Sequence, residues 1–205
     1  MSILPTIFRR PSRRSVVAIA AASSLAIATL ASVGDASAAK APPSTPTDAA
    51  QHCLARVTGR AASGELQLST PVCYATFARV LETAGQPVAD KTITASQARE
   101  QGLVGERASG GGGVALSSTW IIGIHFDGFN FTGSSISVQG SDCYGGYINL
   151  TGWWANRVSS TMNGCPQTIH YYWPNLQGSS EGLYGFGGNL NWLNNLSESI
   201  SYNGW

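Results

Sequence analysis

The chain contains the segment IHFDGFNFTGSS from Ile124 to Ser135 and the similar segment IHYYWPNLQGSS from Ile169 to Ser180. Aligned with a shift of 45 positions, the two segments are identical at six of twelve positions. Each one reads as an extended apolar run, a turn, and then Gly and Ser that open a second strand. Because an internal repeat constrains the architecture more than any single residue does, the pair predicts a domain built from two similar halves.

Turn signals and short strand-like runs alternate throughout residues 114–205. Dipeptides such as Asp127-Gly128 separate apolar runs such as Trp120 to Ile122. This spacing predicts an all-β sandwich of about eight short strands. We expect three tryptophans to fill its core, with stacking on sugar rings as the rarer alternative for an exposed pair; they are Trp153, Trp154 and Trp192.

One spacing inside the two repeated segments is more specific. An aromatic residue is followed, after six residues, by Gly, any residue and Ser, as Phe126, Gly133 and Ser135 and again as Tyr171, Gly178 and Ser180. On these residues the region 114–205 resembles a βγ-crystallin domain, which implies two Greek keys packed as one sandwich. The βγ-crystallin-like proteins secreted by soil bacteria include Streptomyces-type metalloproteinase inhibitors and killer-toxin-like proteins, to which the likeness is one of fold alone.

Residues 1–38 have the composition of a bacterial signal peptide. Four arginines precede an apolar run from Val16 to Val33, and Ala36-Ser37-Ala38 supplies small residues for cleavage. The sequence leaves open whether the Sec or the Tat pathway is used. We therefore expect a secreted, extracellular protein with no membrane contact after cleavage.

The charge of the exported chain limits its partners. Removing residues 1–38 leaves eight of 12 basic and ten of 11 acidic residues, so the net charge changes from +1 to about −2. Nucleic acids and anionic membranes require basic patches. The remaining charges form no such patch, so neither partner is expected.

The region before the repeats divides into three parts. Residues 39–50 form a Pro-rich tether, residues 51–108 have helical character, and residues 109–113 form a Gly linker. Within the middle part, Tyr74, Phe77 and Leu81 follow helical spacing, and Thr94 with Gln97 predicts a capping box at the start of a second helix. We expect a small separate helical lobe, which is either a pro-region or a mobile arm.

The four cysteines fit an oxidising environment. Two lie in the predicted lobe and two in the repeat region, and three pairings are possible. Pairing within each region, Cys53–Cys73 and Cys143–Cys165, would close loops of about 20 residues, each contributing roughly 3 kcal/mol. No Cys-x-x-Cys spacing or nearby His supports a metal site in their place.

The resemblance also indicates where calcium would bind. Calcium-binding members carry Asn or Asp twice, two free residues, Ser or Thr, and then Ser near the end of each key. The matching segments are ANRVSS at 155–160 and NNLSES at 194–199, each with one departure. Carried over by position, one site would use the Asp127 and Arg157 carbonyls, the Ser159 hydroxyl and the Asn195 amide. The other site would use the Tyr172 and Leu196 carbonyls, Glu198 and the Asn156 amide.

Such sites would bind Ca²⁺ weakly. At most one ligand is a carboxylate, which implies a dissociation constant on the order of 10⁻⁴ to 10⁻³ M, as in other extracellular modules. The alternative is that the Asn and Ser side chains only tie the loops together through hydrogen bonds to the backbone. The sequence does not decide between these two interpretations.

Signals for catalysis are lacking in the sequence. His125 and His170 occupy equivalent repeat positions, so we expect surface or inter-strand residues, and no nucleophile elbow or phosphate-binding loop is present. A carboxylate pair such as Asp127 and Glu181 has no further support as a glycosidase site. We therefore expect no enzymatic activity.

Two functional classes follow from the sequence. The first is a monomeric extracellular module stabilised by Ca²⁺, in contact with a cell-surface component. The second is a peptidase inhibitor or antimicrobial toxin-like protein that acts on an extracellular protein, such as a protease, through a loop anchored by a disulfide. Residues Gly140 to Gly146 and Met162 to Gln167 are the candidate loops, around Cys143 and Cys165.

Overall fold

A computed structural model of the protein describes residues 50–104 and 119–204. The predicted signal peptide, nearly all of the tether and the Gly linker lie outside the described residues. Within them the chain forms eleven strands and two α-helices. Before the repeats lie β1 (His52–Arg60), β2 (Leu66–Leu68), β3 (Val72–Tyr74), α1 (Phe77–Thr83) and α2 (Ala95–Glu100). The repeats contain β4 (Trp120–Phe126), β5 (Ser135–Gly140), β6 (Tyr144–Asn149), β7 (Ser160–Asn163), β8 (Gln167–Trp173), β9 (Gln177–Tyr184), β10 (Gly187–Asn189) and β11 (Ser199–Asn203).

The strands form two sheets, and each Greek key contributes one strand to the sheet of the other. Sheet I has the order β10-β7-β4-β5-β1-β2, with β3 also paired to β1, and sheet II has the order β6-β11-β8-β9. The third strand of the first key, β6, therefore pairs with β11, and the third strand of the second key, β10, pairs with β7. The molecule is thus the two-key sandwich expected from the resemblance.

A first core fills the space between the two sheets. Strand β11 shows how its sequence produces this core, because Ile200 and Tyr202 point inward and are fully buried, whereas Ser199 and Ser201 alternate with them. Trp154 lies in this core and Trp153 packs partly buried against it. The prediction for Trp192 is wrong, since 48% of its surface is exposed in the turn before β11.

A second core lies on the outer face of sheet I, where α1 and α2 cover the strands. Ile124 and Phe126 of β4 and Met162 of β7 pack there with Phe77 and Leu81 of α1. The ring of Phe77 lies 6.3 Å from the ring of Phe126. The described molecule is therefore layered as helices, sheet I and sheet II, with one apolar core between each pair of layers.

The region predicted as a helical lobe contains both helices and, in addition, three strands. Strand β1 runs parallel to β5, with His52 opposite Ser135 and Ala55 opposite Val138, so the lobe shares a sheet with the first Greek key. The predicted capping box is formed, since the Thr94 N–H donates to Gln97 Oε1 at 2.8 Å. Strand β1 was missed because its partner β5 is over 80 residues distant in sequence, and β2 and β3 are three-residue strands that pair with β1.

Both disulfides join cysteines of the same region. Cys53 and Cys73 lie directly opposite each other on β1 and β3, and Cys143 bonds to Cys165 between the ends of β5 and β7. None of the four cysteines is free. Among the described residues, no helix is long and apolar enough to cross a bilayer.

Shortening Leu81 tests the importance of the second core. Leu81 is fully buried between α1 and sheet I, so Leu81→Ala should lower the free energy of unfolding by about 2–5 kcal/mol. The measurement is urea-induced unfolding followed by fluorescence. Arg79→Ala on the exposed side of the same helix is the control, and we expect a change within about 0.5 kcal/mol. Equal effects of the two variants would contradict the packing of α1 on sheet I.

Candidate functional site

Each Greek key opens with a folded hairpin whose tip adopts a left-handed backbone. Asn130 and Phe131 have φ of 55° and 62°, and the equivalent Asn175 and Leu176 have φ of 57° and 60°. Non-glycine residues adopt these angles only where surrounding contacts compensate for the steric cost. The compensating contacts are the same in both keys, which shows that the two repeated segments are similar in structure as well as in sequence.

Two side chains hold each hairpin tip. The Asn130 N–H donates to Asn189 Oδ1 at 2.7 Å, and the Asn175 N–H donates to Asn149 Oδ1 at 2.7 Å. The second contact comes from the final serine of each Asn/Ser segment (155–160 and 194–199). Its hydroxyl accepts a hydrogen bond from the N–H of the residue after the hairpin asparagine and donates one to a carbonyl of the same hairpin. Ser160 contacts Phe131 and Gly128 at 3.0 and 2.6 Å, and Ser199 contacts Leu176 and Trp173 at 3.1 and 2.7 Å.

The sequence interpretation missed these asparagine ties. The signal was present, because Asn130 and Asn175 coincide in the 45-residue repeat. Their partners Asn149 and Asn189 come from the third strand of the opposite key in each case, a pairing that the repeat alone does not indicate.

The two Asn/Ser segments lie side by side. The Asn156 N–H donates to the Ser197 carbonyl at 3.0 Å, and the Asn195 N–H donates to the Val158 carbonyl at 2.9 Å. Asn156 and Asn195 are both left-handed, with φ of 58° and 56°. This reciprocal pairing places the side chain of Asn195 next to Ser159 and that of Asn156 next to Glu198. The calcium hypothesis requires this arrangement, because each predicted site takes its ligands from both segments.

Three oxygens converge at the first candidate site. The Ser159 hydroxyl lies 3.0 Å from the Asp127 carbonyl oxygen and 3.2 Å from Asn195 Oδ1. A hydroxyl has one proton, so it satisfies only one of these two acceptors at a time. The cluster is therefore rich in acceptors, and a hard cation with oxygen ligands at about 2.3–2.6 Å fits its chemistry.

Arg157, which was predicted to contribute its carbonyl, also brings its side chain close to the site. Its guanidinium lies over the Trp153 ring at 4.1 Å and 3.9 Å from Asp127 Oδ2. Asp127 Oδ1 accepts from the Ser134 N–H at 2.7 Å. Partial burial raises the pKa of the Asp127 carboxyl, and the Ser134 hydrogen bond and Arg157 oppose that rise. The carboxylate thus supports the hairpin, while its backbone carbonyl faces Ser159.

The second candidate site is arranged differently. Asn156 Nδ2 donates to Glu198 Oε1 at 2.8 Å, so the amide presents its nitrogen, and a cation would require the amide to rotate by half a turn. Leu196 lies 40% exposed in the preceding turn, and the Tyr172 ring packs on Trp173 at 4.7 Å. The structure brings Asn156 and Glu198 together as an intramolecular hydrogen bond that competes with an ion.

The donor set limits the type of metal. Within the described residues, no group of three His, Cys, Asp or Glu side chains is placed to hold an ion. The first site offers a carbonyl, a hydroxyl and an amide oxygen, a set that suits Ca²⁺ better than a transition metal. Asn194 Oδ1, in the segment NNLSES, is buried without a hydrogen-bond partner among the described residues.

The two repeated histidines form a buried polar chain. His125 Nε2 contacts the Tyr202 hydroxyl at 2.8 Å, and Thr161 Oγ1 lies 2.9 Å from both His125 Nδ1 and His170 Nε2. His170 Nδ1 contacts Ser197 Oγ at 3.1 Å. All five side chains are buried between the sheets, so the inter-strand alternative is correct and the surface alternative is wrong.

The burial of these histidines keeps them neutral. Desolvation lowers the pKa of His125 to about 3 and lowers the pKa of His170 well below its usual value. Because neither ring has access to solvent, neither can exchange a proton with a substrate. The network contributes to the specificity of the core.

The carboxylates considered for glycosidase chemistry have structural partners. Glu181 is mostly buried and accepts from the Asn191 N–H at 2.8 Å and from the Leu193 N–H at 3.1 Å, which caps the turn before β11. Asp127 holds its hairpin through Ser134. Both carboxylates are therefore used to order turns.

The two candidate inhibitory loops differ in exposure. Residues 162–166 are buried throughout, so the Met162 to Gln167 loop does not protrude. The Gly140 to Gly146 loop is exposed at Ser141, Tyr144 and Gly145. It is held by the Cys143–Cys165 disulfide and by Arg60, which pairs with Asp142 at 2.7 Å.

Solved structures similar to this chain include βγ-crystallin domains. A domain from Clostridium beijerinckii is 17% identical over 39% of this chain and 94% of its own length, with a TM-score of 0.33. A domain from Flavobacterium johnsoniae is 25% identical over 39% of this chain and 91% of its own, with a TM-score of 0.32. The N-terminal domain of Protein S is 21% identical over 38% and 91%, also with a TM-score of 0.32.

A scan against protein-family models finds no match, and a search of curated proteins finds none. The strand order and the two folded hairpins define the fold of this chain.

Removing the hydrogen bonds that Ser160 and Ser199 make to the hairpins should destabilise both keys. Ser160→Ala and Ser199→Ala each leave a hairpin N–H and a carbonyl without their partner, which should cost about 1–3 kcal/mol of unfolding free energy. Chemical unfolding measures the change. Ser180→Ala, in an exposed position on β9, should change stability by less than about 0.5 kcal/mol. If all three variants matched the parent chain, the proposed role of the ties would be wrong.

The buried histidines should make the fold sensitive to acid. Their folded pKa values lie below the unfolded value of about 6.5, so below that pH the unfolded state binds more protons and stability falls. With His125 and His170 both neutral in the fold, the loss should reach about 2.7 kcal/mol per pH unit before the pKa of about 3 for His125 is approached.

Thermal unfolding from pH 8 to pH 4 measures this effect. We expect a constant midpoint above pH 7 and a steep decline below pH 6. His52→Gln is the control, because His52 is only partly buried and its loss should leave most of the decline in place. A midpoint that does not change between pH 6.5 and pH 4 would contradict neutral buried histidines.

Proposed function

We propose that the protein is a secreted, non-enzymatic βγ-crystallin-like module whose sandwich is stabilised by a weakly bound Ca²⁺ ion at the first candidate site. One observation carries the proposal. The Asp127 carbonyl oxygen and Asn195 Oδ1 both lie within 3.2 Å of the Ser159 hydroxyl oxygen. These atoms belong to both Greek keys, so an ion there would cross-link them.

An ion at this site would act on stability. Asp127 follows β4, Ser159 precedes β7 and Asn195 precedes β11, so the ligands connect strands of both sheets. Binding to the folded state alone raises the free energy of unfolding by mass action. With neutral oxygen ligands and a guanidinium nearby, a dissociation constant on the order of 10⁻⁴ to 10⁻³ M is expected. Extracellular fluids supply the ion at comparable concentrations.

The second site is the weaker candidate. The Asn156–Glu198 hydrogen bond must break before an ion can bind, although the Glu198 carboxylate would then supply a charged ligand. The proposal therefore assigns one ion to the domain through Asp127, Ser159 and Asn195, with Arg157 contributing its carbonyl.

Calcium should raise the thermal unfolding midpoint of the full chain. In 10 mM CaCl₂ we expect about 1.4–2.7 kcal/mol of added unfolding free energy relative to excess EDTA. Ser159→Ala should abolish this increment, because it removes the central ligand. Asn195→Asp should enlarge it, because it replaces a neutral ligand with a carboxylate. Each variant's own EDTA curve is its reference, so that loss of folding stability is not mistaken for loss of binding.

Arg157 and magnesium provide further controls. Arg157→Gln removes a positive charge near the site and should tighten binding by about two- to fivefold. MgCl₂ at the same concentration should have little effect, since Mg²⁺ demands a stricter geometry. No increment for the parent chain in 10 mM CaCl₂ would reject the calcium module.

Peptidase inhibition is the second candidate function. The favourable observation is that the exposed Gly140 to Gly146 loop is held at two adjacent residues, Asp142 through its pair with Arg60 and Cys143 through its disulfide to Cys165, because a rigid inhibitory loop requires such restraint. If this function is correct, the chain should inhibit a secreted metalloproteinase, and Ser141→Arg at the loop should weaken inhibition at least tenfold. Equal inhibition by Ser179→Arg on β9 would show a non-specific charge effect, and no inhibition by the parent chain would exclude this function.

A further inference from the structure

The outer faces of the two sheets have different chemistry, although the repeats make them equivalent. On sheet I, aliphatic and phenyl side chains such as Ile124, Phe126 and Met162 are covered by α1 and α2. On sheet II, the position equivalent to Phe126 is Tyr171, which is partly exposed. The described chain places no helix over this second face.

Tyrosines are concentrated on the outer face of sheet II. Four of the seven tyrosines in the chain occupy its outward strand positions, namely Tyr144 and Tyr147 on β6, Tyr171 on β8 and Tyr184 on β9. The inward neighbours Ile148, His170 and Ile200 are fully buried between the sheets, which fixes the direction of the alternation. Tyr144 and Tyr184 are 83% and 67% exposed, whereas Tyr147 is buried, with 5% of its surface exposed.

One row of paired residues crosses this face from edge to edge. Tyr144 pairs with Asn203, Asn203 pairs with Gln167, and Gln167 pairs with Tyr184. With strands about 4.8 Å apart, the two exposed tyrosines lie roughly 14 Å from each other. The row therefore has an aromatic ring at each end and amide side chains between them.

The ring of Tyr184 lies close to Gly182 of its own strand. A Cβ atom added to Gly182, two residues earlier on the same face, would lie 3.3 Å from the Tyr184 ring. The absence of a side chain at Gly182 therefore lets the ring lie close to the backbone. A ring held in this way presents its outer surface to solvent as a platform and loses little freedom when a ligand stacks on it.

The strand positions of this face carry no charge. Besides the tyrosines, they hold amides, serines, glycines, the single aliphatic Ile169 and, at the end of β8, Trp173, which is 52% exposed. The charged groups at the β6 edge are engaged, since Glu65 accepts from Asn149 Nδ2 at 2.9 Å and Arg60 pairs with Asp142 and donates to the Tyr144 carbonyl at 2.9 Å. An amphipathic helix needs an aliphatic face, and an anionic polymer needs basic residues. Neither is present here.

We propose that the outer face of sheet II binds an uncharged polysaccharide, which stacks on Tyr144 and Tyr184 and hydrogen-bonds to Gln167 and Asn203. Sugar rings have apolar faces that suit aromatic platforms and hydroxyl edges that suit amides, and both groups donate and accept hydrogen bonds. The exposed row has the length of a short oligosaccharide, so a polymer lies along it across all four strands. This activity does not depend on the calcium site, which lies in the loops at the ends of the strands.

Affinity electrophoresis of the full chain in EDTA tests the proposal. Native gels contain hydroxyethylcellulose, the β-glucan laminarin or anionic polygalacturonate, and a pull-down uses insoluble chitin. We expect retardation or capture by at least one neutral polymer and none by polygalacturonate. Tyr144→Ala and Tyr184→Ala should each weaken binding by about three- to tenfold, and the double variant should abolish it.

Phe129→Ala is the matched control, because Phe129 is a 48% exposed aromatic residue on the first hairpin and its loss should leave retention unchanged. Circular dichroism and the unfolding midpoint verify that the tyrosine variants remain folded. The proposal is overturned if no neutral polymer retains the parent chain, or if the folded double variant is retained as strongly as its parent. It is also overturned if the tyrosine variants instead change the sedimentation coefficient of the chain alone, since the face would then be a contact between two copies.

Discussion

The exchange of one strand between the two Greek keys is the constraint on which the other features depend. Because β6 pairs with β11 and β10 pairs with β7, neither key can complete its own sheet, and both must fold together. The exchange also places the Asn/Ser segment that precedes β7 beside the one that precedes β11. The reciprocal backbone bonds of Asn156 and Asn195 follow from this arrangement, as does the convergence of oxygens around Ser159.

The same exchange explains why the histidines are buried. His125 and His170 project from β4 and β8 towards each other between the sheets, with ring centroids 5.7 Å apart. Thr161, at the start of β7, lies between them and offers one hydroxyl to both rings. Two polar rings in an apolar interior are tolerated only because each nitrogen has a partner. The repeated histidines therefore follow from the symmetry of the two keys, and their hydrogen bonds hold both rings inside the core.

The sequence predicted the features that depend on local chemistry. The hairpins follow from glycines such as Gly133, whose φ of 77° and whose contact with the Asp127 carboxylate exclude a side chain, and α2 follows from its capping box. Strand β1 was not predicted, because its parallel pairing with β5 is stabilised by a partner distant in sequence. For the candidate site, the motif identified Asn156 and Asn195, but it did not show that Glu198 already accepts from the Asn156 amide. Such competition depends on side-chain geometry that no spacing encodes.

The N-terminal region breaks the symmetry of the two keys, and the sequence of the repeats is adapted to that break. Phe126 and Tyr171 share a repeat position, yet Phe126 is buried beneath α1 whereas Tyr171 is partly exposed. A phenol at position 126 would need a hydrogen-bond partner in an apolar layer, and a phenyl ring at position 171 would expose apolar surface. The choice between Phe and Tyr thus follows the presence of the covering helices. The uncovered face carries exposed tyrosines and amides, and it is on this composition that we propose a binding function for it.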